Sequence, residues 1–88
     1  MRALVKTAAQ PGLTYTERQD PTPGPNDAVI QVKATSLCGT DAHIYNWDAW
    51  AHSRIHPPRT IGHEMCGEVV AVGADVTLVR VGDYVAAE

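Results

Sequence analysis

Residues 20–27 hold three prolines and a glycine in eight positions, Asp-Pro-Thr-Pro-Gly-Pro-Asn-Asp. Fixed φ angles and missing N–H donors at that density rule out a helix and a central strand. The segment reads as a stiff surface connection, so the rest of the chain must be assembled from short pieces on either side of it. Residues 3–6 read as a strand, Pro11-Gly12 as a turn, and residues 13–17 as a second strand paired with the first. Residues 28–35 alternate with period two, with Ile30, Val32 and Ala34 on one face and Gln31, Lys33 and Thr35 on the other. Residues 67–73 form a nearly continuous apolar run, which predicts a strand buried on both faces. Residues 81–85 predict a turn leading into a last strand.

The character of the chain changes at Ser36-Leu37-Cys38-Gly39-Thr40-Asp41. Thr40 fits the N-cap of a short helical turn over residues 40–46. Residues 46–60 are polar and irregular, with Trp47, Trp50 and Pro57-Pro58 among them, and a stretch of that length without regular structure is usually functional. The expectation is a mostly β, twisted, barrel-like domain whose loops carry the polar groups.

Hydrophobic residues at 44% and charged residues at 19% mark a globular chain, and a formal net charge of -3 argues against nucleic acid or an anionic membrane as partner. No apolar run reaches the length of a membrane span, and Lys6 interrupts any signal-peptide core, so a cytoplasmic location is expected. Eighty-eight residues suffice for one small domain, whose stability is marginal without a metal, a partner or further chain. Two cysteines, Cys38 and Cys66, are unpromising as a cytosolic disulfide; a thiolate accompanied by histidines elsewhere points to a metal or to catalysis.

Taken singly, the polar groups have bland readings. Cysteine is often only a small buried group, and Cys66 is read that way. Thr40 can be a cap and nothing more, Glu64 can be a bystander beside His63, and His52 and His56 read as solvated. Trp47 and Trp50 either line a pocket or cover the loop. The combination carries more. Zinc accepts thiolate, imidazole and carboxylate, and a catalytic zinc keeps three protein ligands and one open position. Cys38, His63 and Glu64 supply those three donor types from two loops, each at a strand end. A structural zinc calls instead for paired cysteines at short spacing, which this sequence lacks. The glycines at 67, 73 and 82 are read as serving positive φ or close strand approach.

Gly62-His63-Glu64-Met65-Cys66-Gly67, with Gly73 and Val76 beyond it, resembles the zinc signature of the medium-chain alcohol dehydrogenases. Residues 38–43, Cys-Gly-Thr-Asp-Ala-His, are similar to that family's first ligand loop, and residues 43–50 resemble its threonine-oxidising branch. The resemblance runs over the whole chain. It implies the amino-terminal part of a GroES-like twisted β-barrel catalytic domain, with Cys38, His63 and Glu64 as zinc ligands. It further implies a proton relay of Thr40 and His43, and Asp41 holding the ring of His63 through its other nitrogen. The implied reaction oxidises the 3-hydroxyl of L-threonine to 2-amino-3-ketobutyrate, with hydride passing to NAD. Zinc on the hydroxyl and a hydroxyl–imidazole exit for its proton suit that chemistry.

No Gly-x-Gly-x-x-Gly follows a strand, so the dinucleotide-binding domain is expected downstream and residues 1–88 alone are expected to be inactive. A homotetramer is expected for the whole enzyme by resemblance. Two other readings compete. A polyol or butanediol dehydrogenase of the same family shares both motifs, and a non-catalytic GroES-like binding module leaves Cys38, His63 and Glu64 without a purpose.

Overall fold

The computed structural model describes residues 1–88 as six strands and two short helices, in the order β1 (Arg2–Lys6), β2 (Thr14–Glu17), β3 (Ala28–Ser36), α1 (Gly39–Asn46), α2 (Ala49–Arg54), β4 (Arg59–Thr60), β5 (Glu64–Val72), β6 (Tyr84–Ala87). The chain divides into two units. Unit 1 comprises Met1–Gln19 and Leu37–Gly62, and unit 2 comprises Asp20–Ser36 and His63–Glu88.

Unit 1 is a three-stranded sheet in the order β2-β1-β4 together with both helices. β1 pairs antiparallel with β2, Leu4 facing Tyr15, as the alternation around Pro11-Gly12 predicts. Its other edge is closed by β4, with Val5 opposite Thr60. Val5, Ile44 and Ala51 form the core, so each of β1, α1 and α2 contributes one buried apolar side chain. Lys6 is buried beside them at 1% exposure, and its Nζ donates to the carbonyls of Gln10 (2.7 Å), Gly12 and Tyr45 (3.3 Å). Burial pulls the Lys6 pKa down, because a desolvated ammonium is disfavoured.

Residues 46–60 are not irregular throughout. Asp48 accepts the Ala51 N–H at 2.9 Å and caps α2, and Ala-Trp-Ala-His-Ser-Arg propagates the helix for six residues. The cap outweighs the turn signals of the tryptophans and of Pro57-Pro58. Cys38, not Thr40, is the N-cap of α1; Thr40 lies inside the first turn, because the chain is already helical from Gly39.

Unit 2 is a three-stranded antiparallel sheet in the order β3-β5-β6. β5 is central, yet it is covered on one face only: Gly67 and Val69 are buried, whereas Cys66 and Val70 are exposed. The apolar run therefore does not mark a strand buried on both faces, and Cys66 is not the small core group its residue type suggests. The period-two pleat places it on the face opposite Gly67 and Val69. The register shifts twice, with Val70 of β5 extra between the Val29–Ala71 and Ile30–Val69 pairs and Lys33 of β3 extra between the Val32–Gly67 and Ala34–Cys66 pairs, and Val32 is 48% exposed. At Gly67 a Cβ would lie 2.1 Å from the Gln31 carbonyl oxygen, so close strand approach requires glycine there. No helix is long and apolar enough to cross a membrane.

Candidate active site

Cys38, Thr40, Asp41 and His43 all belong to unit 1 and to α1 or its N-cap. The Cys38 N–H donates to Asp41 Oδ2 at 3.1 Å, and the Asp41 N–H returns a bond to the Cys38 carbonyl at 3.1 Å. This reciprocal pair fixes the first turn and explains a carboxylate at 4% exposure three residues after the cap. Cys38 forms no disulfide and is half-buried, and its Sγ lies within 4.8 Å of an Asp41 carboxylate oxygen. Cys38 also forms one wall of a cavity of about 230 Å³, whose other walls include Leu13, Leu37, Ala42 and Tyr45. A cysteine sulfur at the edge of a largely apolar cavity is a donor type suited to a soft or borderline metal such as zinc.

Thr40 and His43 are three residues apart on α1, so they occupy neighbouring positions on its surface. Thr40 is half-buried, whereas the His43 side chain is 60% exposed. His43 is not free to rotate. Its Nδ1 is hydrogen-bonded to Asp48 Oδ2, and its ring packs tilted against Trp50 at 6.1 Å between centroids. Asp48 carries an acidity stronger than the ordinary aspartate range, chiefly because it accepts the Ala51 N–H; the His43 contact adds to that.

Asp48 was not legible as a site residue from composition or spacing. The signal lay in its cap position, an Asp immediately before Ala-Trp-Ala. Trp47, directly before it, adopts φ 54°, a left-handed conformation rare for a bulky side chain. Its ring is held by the Lys6 ammonium 5.3 Å from the centroid and by the edge of His52 at 6.1 Å. The two tryptophans thus have distinct neighbours: Trp47 faces Lys6 and His52, Trp50 faces His43.

His63 and Glu64 belong to unit 2. Gly62, at φ 105°, turns the chain immediately before the exposed His63. Glu64 opens β5, where its backbone carbonyl accepts the Thr35 hydroxyl at 3.0 Å and its Oε2 accepts the Ser36 hydroxyl at 3.2 Å. The Thr35 contact holds the Glu64 backbone and the Ser36 contact holds its carboxylate, through Oε2, at the end of β3. An open pocket of about 440 Å³ surrounds this strand end, with Thr35, Ser36, Glu64 and Glu88 as its polar lining.

Residues 24–88 match the family model of the alcohol dehydrogenase GroES-like domain. Over 88 residues, all of this chain, the sequence is 59% identical to an L-threonine 3-dehydrogenase of Symbiobacterium thermophilum and covers 25% of it. It is 51% identical over the same 88 residues to an L-threonine 3-dehydrogenase of Thermococcus kodakarensis, again covering 25%. Among solved structures, 2R,3R-butanediol dehydrogenase from Bacillus subtilis superposes with a TM-score of 0.81 at 30% identity, over 97% of this chain and 26% of that one. An alcohol dehydrogenase from Thermus sp. ATN1 gives a TM-score of 0.77 at 32% identity, over 98% of this chain and 24% of that one. The chain spans about a quarter of the length of the relatives it matches.

Proposed function

The chain belongs to the alcohol dehydrogenase GroES-like domain family, and from that premise we propose that it forms the zinc-binding part of an enzyme oxidising L-threonine at its 3-hydroxyl to 2-amino-3-ketobutyrate. The observation that carries the substrate assignment is 59% identity across all 88 residues to a chain named L-threonine 3-dehydrogenase. The local chemistry supports an alcohol-oxidising site of this type.

Cys38, His63 and Glu64 are the proposed zinc ligands. Ser36 and Glu64 are cross-strand partners at the end of the β3–β5 ladder. Cys38 follows Ser36 by two residues and His63 precedes Glu64 by one, so the ligand segments continue from paired strand ends. Bound there, zinc supplies Lewis acidity toward a substrate hydroxyl, and NAD, held by a dinucleotide-binding domain beyond these residues, supplies the hydride acceptor.

The residues of α1 handle the proton. In this reading the Thr40 hydroxyl accepts it from the substrate hydroxyl and passes its own to His43. The exposed face of His43 then delivers it to solvent. Leu13, Leu37 and Tyr45 give the cavity beside Cys38 an apolar lining. Asp41 acts by holding the Cys38 backbone, with orientation of His63 as a further proposed role.

A second reading, oxidation of a small diol or polyol by the same residues, is favoured by the likeness to butanediol dehydrogenase. A non-catalytic binding module predicts no metal at all. Metal analysis of the full-length protein after gel filtration tests the proposal: retained, chelator-removable zinc is expected. Metal-free protein that still turns over L-threonine would contradict it.

A further inference from the structure

We propose that Asp48 is a positioning residue for the relay: it holds the His43 Nδ1–H and thereby leaves Nε2 as the proton-accepting atom of the ring. This rests on the relay reading of His43 given above.

Three features of the α1–α2 corner converge on it. Trp47 closes α1 in the left-handed region, at φ 54°, and turns the chain back on itself. A bulky side chain is disfavoured there, and such backbone strain concentrates at functional corners. The turn brings Asp48 back to α1, where its backbone N–H reaches the His43 carbonyl at 3.4 Å. The two carboxylate oxygens then divide their work, Oδ1 accepting from the Ala51 N–H at 2.9 Å and Oδ2 bonding His43 Nδ1.

The chemistry of the pair sets the direction of the bond. Asp48 is held ionised by the Ala51 N–H first and by His43 second, and an ionised carboxylate only accepts. Nδ1 therefore donates, and the neutral imidazole carries its lone pair on Nε2. Trp50 packs on the ring and limits its rotation. The contact is solvent-accessible, with side chains 60% and 38% exposed, so its contribution to stability is small. Its effect is on orientation and tautomer.

The test uses full-length enzyme with selectively ¹⁵N-labelled histidine. Asp48→Asn keeps a capping oxygen for Ala51 but presents an amide N–H₂ to Nδ1, which must then accept. The expected result is Nδ1–H for His43 in the wild type and Nε2–H in Asp48→Asn. The expected fall in kcat is about 10 to 100-fold, with KM within about twofold. Asp48→Ser, whose hydroxyl also caps a helix but falls short of the ring, is the second variant; it is expected to lower kcat and mix the tautomers. An Nε2–H ring in the wild type overturns the proposal, as do variants with wild-type tautomer and kcat. His43→Ala separates the two claims. If it slows turnover while both Asp48 variants behave as wild type, the relay stands and the positioning role fails. If His43→Ala turns over at the wild-type rate, the relay reading fails and takes the proposal with it.

Discussion

The Lys6 ammonium donates to the Tyr45 carbonyl at 3.3 Å, and the same carbonyl accepts the Gly12 N–H at 2.8 Å. Tyr45 lies in the last turn of α1, so a buried cation from β1 meets one carbonyl at the negative end of the helix that carries Thr40 and His43. Replacing Lys6 with Met removes the charge and leaves the part-buried Gln10 and Gly12 carbonyls without that donor. The expected loss is about 1–3 kcal/mol, the scale for leaving polar groups unpaired on removal of a partner. Chemical denaturation of the full-length variant measures it, and an unchanged midpoint would mean the carbonyls find water instead.

Gly67 has no room for a side chain, because a Cβ would stand 2.1 Å from the Gln31 oxygen and 2.8 Å from Ile30 Cγ2. Gly67→Ala must part β3 from β5, and a destabilisation of at least about 1–3 kcal/mol is expected. Since Glu64 is fixed by the Thr35 and Ser36 hydroxyls at the end of the same ladder, the variant should also weaken zinc retention. A dialysis series against chelator reads that second effect.

Asp48 has a folded-state pKa below its unfolded one, set first by the Ala51 N–H and then reinforced by His43. The sign follows from proton binding: in the window below about pH 4 the unfolded chain binds more protons, so the benefit of the charge is lost as pH falls. The stability difference between wild type and Asp48→Ala should be full above about pH 4 and shrink below it as pH falls through the depressed value. Thermal unfolding across that range checks the direction; a gap that widens on acidification would contradict it.

The elements that the sequence announces are those set by local physics. Three prolines in residues 20–27 and the residue types of 28–35 depend on near neighbours, and these segments form a connection and a strand as expected, although burial along the strand does not alternate. Faces are less legible. Cys66 and Val70 lie exposed although they belong to an apolar run, because which side of β5 is covered depends on what packs there and not on the run itself. α2 escaped because one capping carboxylate at Asp48 decides it, against two tryptophans and a Pro-Pro pair that read as loop. The partners of Cys38 and His43 on α1 were half legible. The spacing of Thr40 and His43 predicts neighbours on a helix, but the return of Asp48 requires the left-handed Trp47, a conformation its residue type argues against.

Cys38→Ser tests the ligand assignment directly. A hydroxyl is a far weaker zinc ligand than a thiolate, so zinc content and turnover should fall together. The Cys38 backbone contacts with Asp41 survive the change, so α1 should keep its cap and the fold its far-ultraviolet signature. A variant with full zinc content and normal rates would remove Cys38 from the site.

The most direct measurement is NAD reduction by the full-length enzyme with L-threonine, 2,3-butanediol and sorbitol, each with and without a chelator. The account predicts the highest kcat/KM for L-threonine and its loss on zinc removal. A chelator-insensitive rate, or a clear preference for the diol or the polyol, would contradict it.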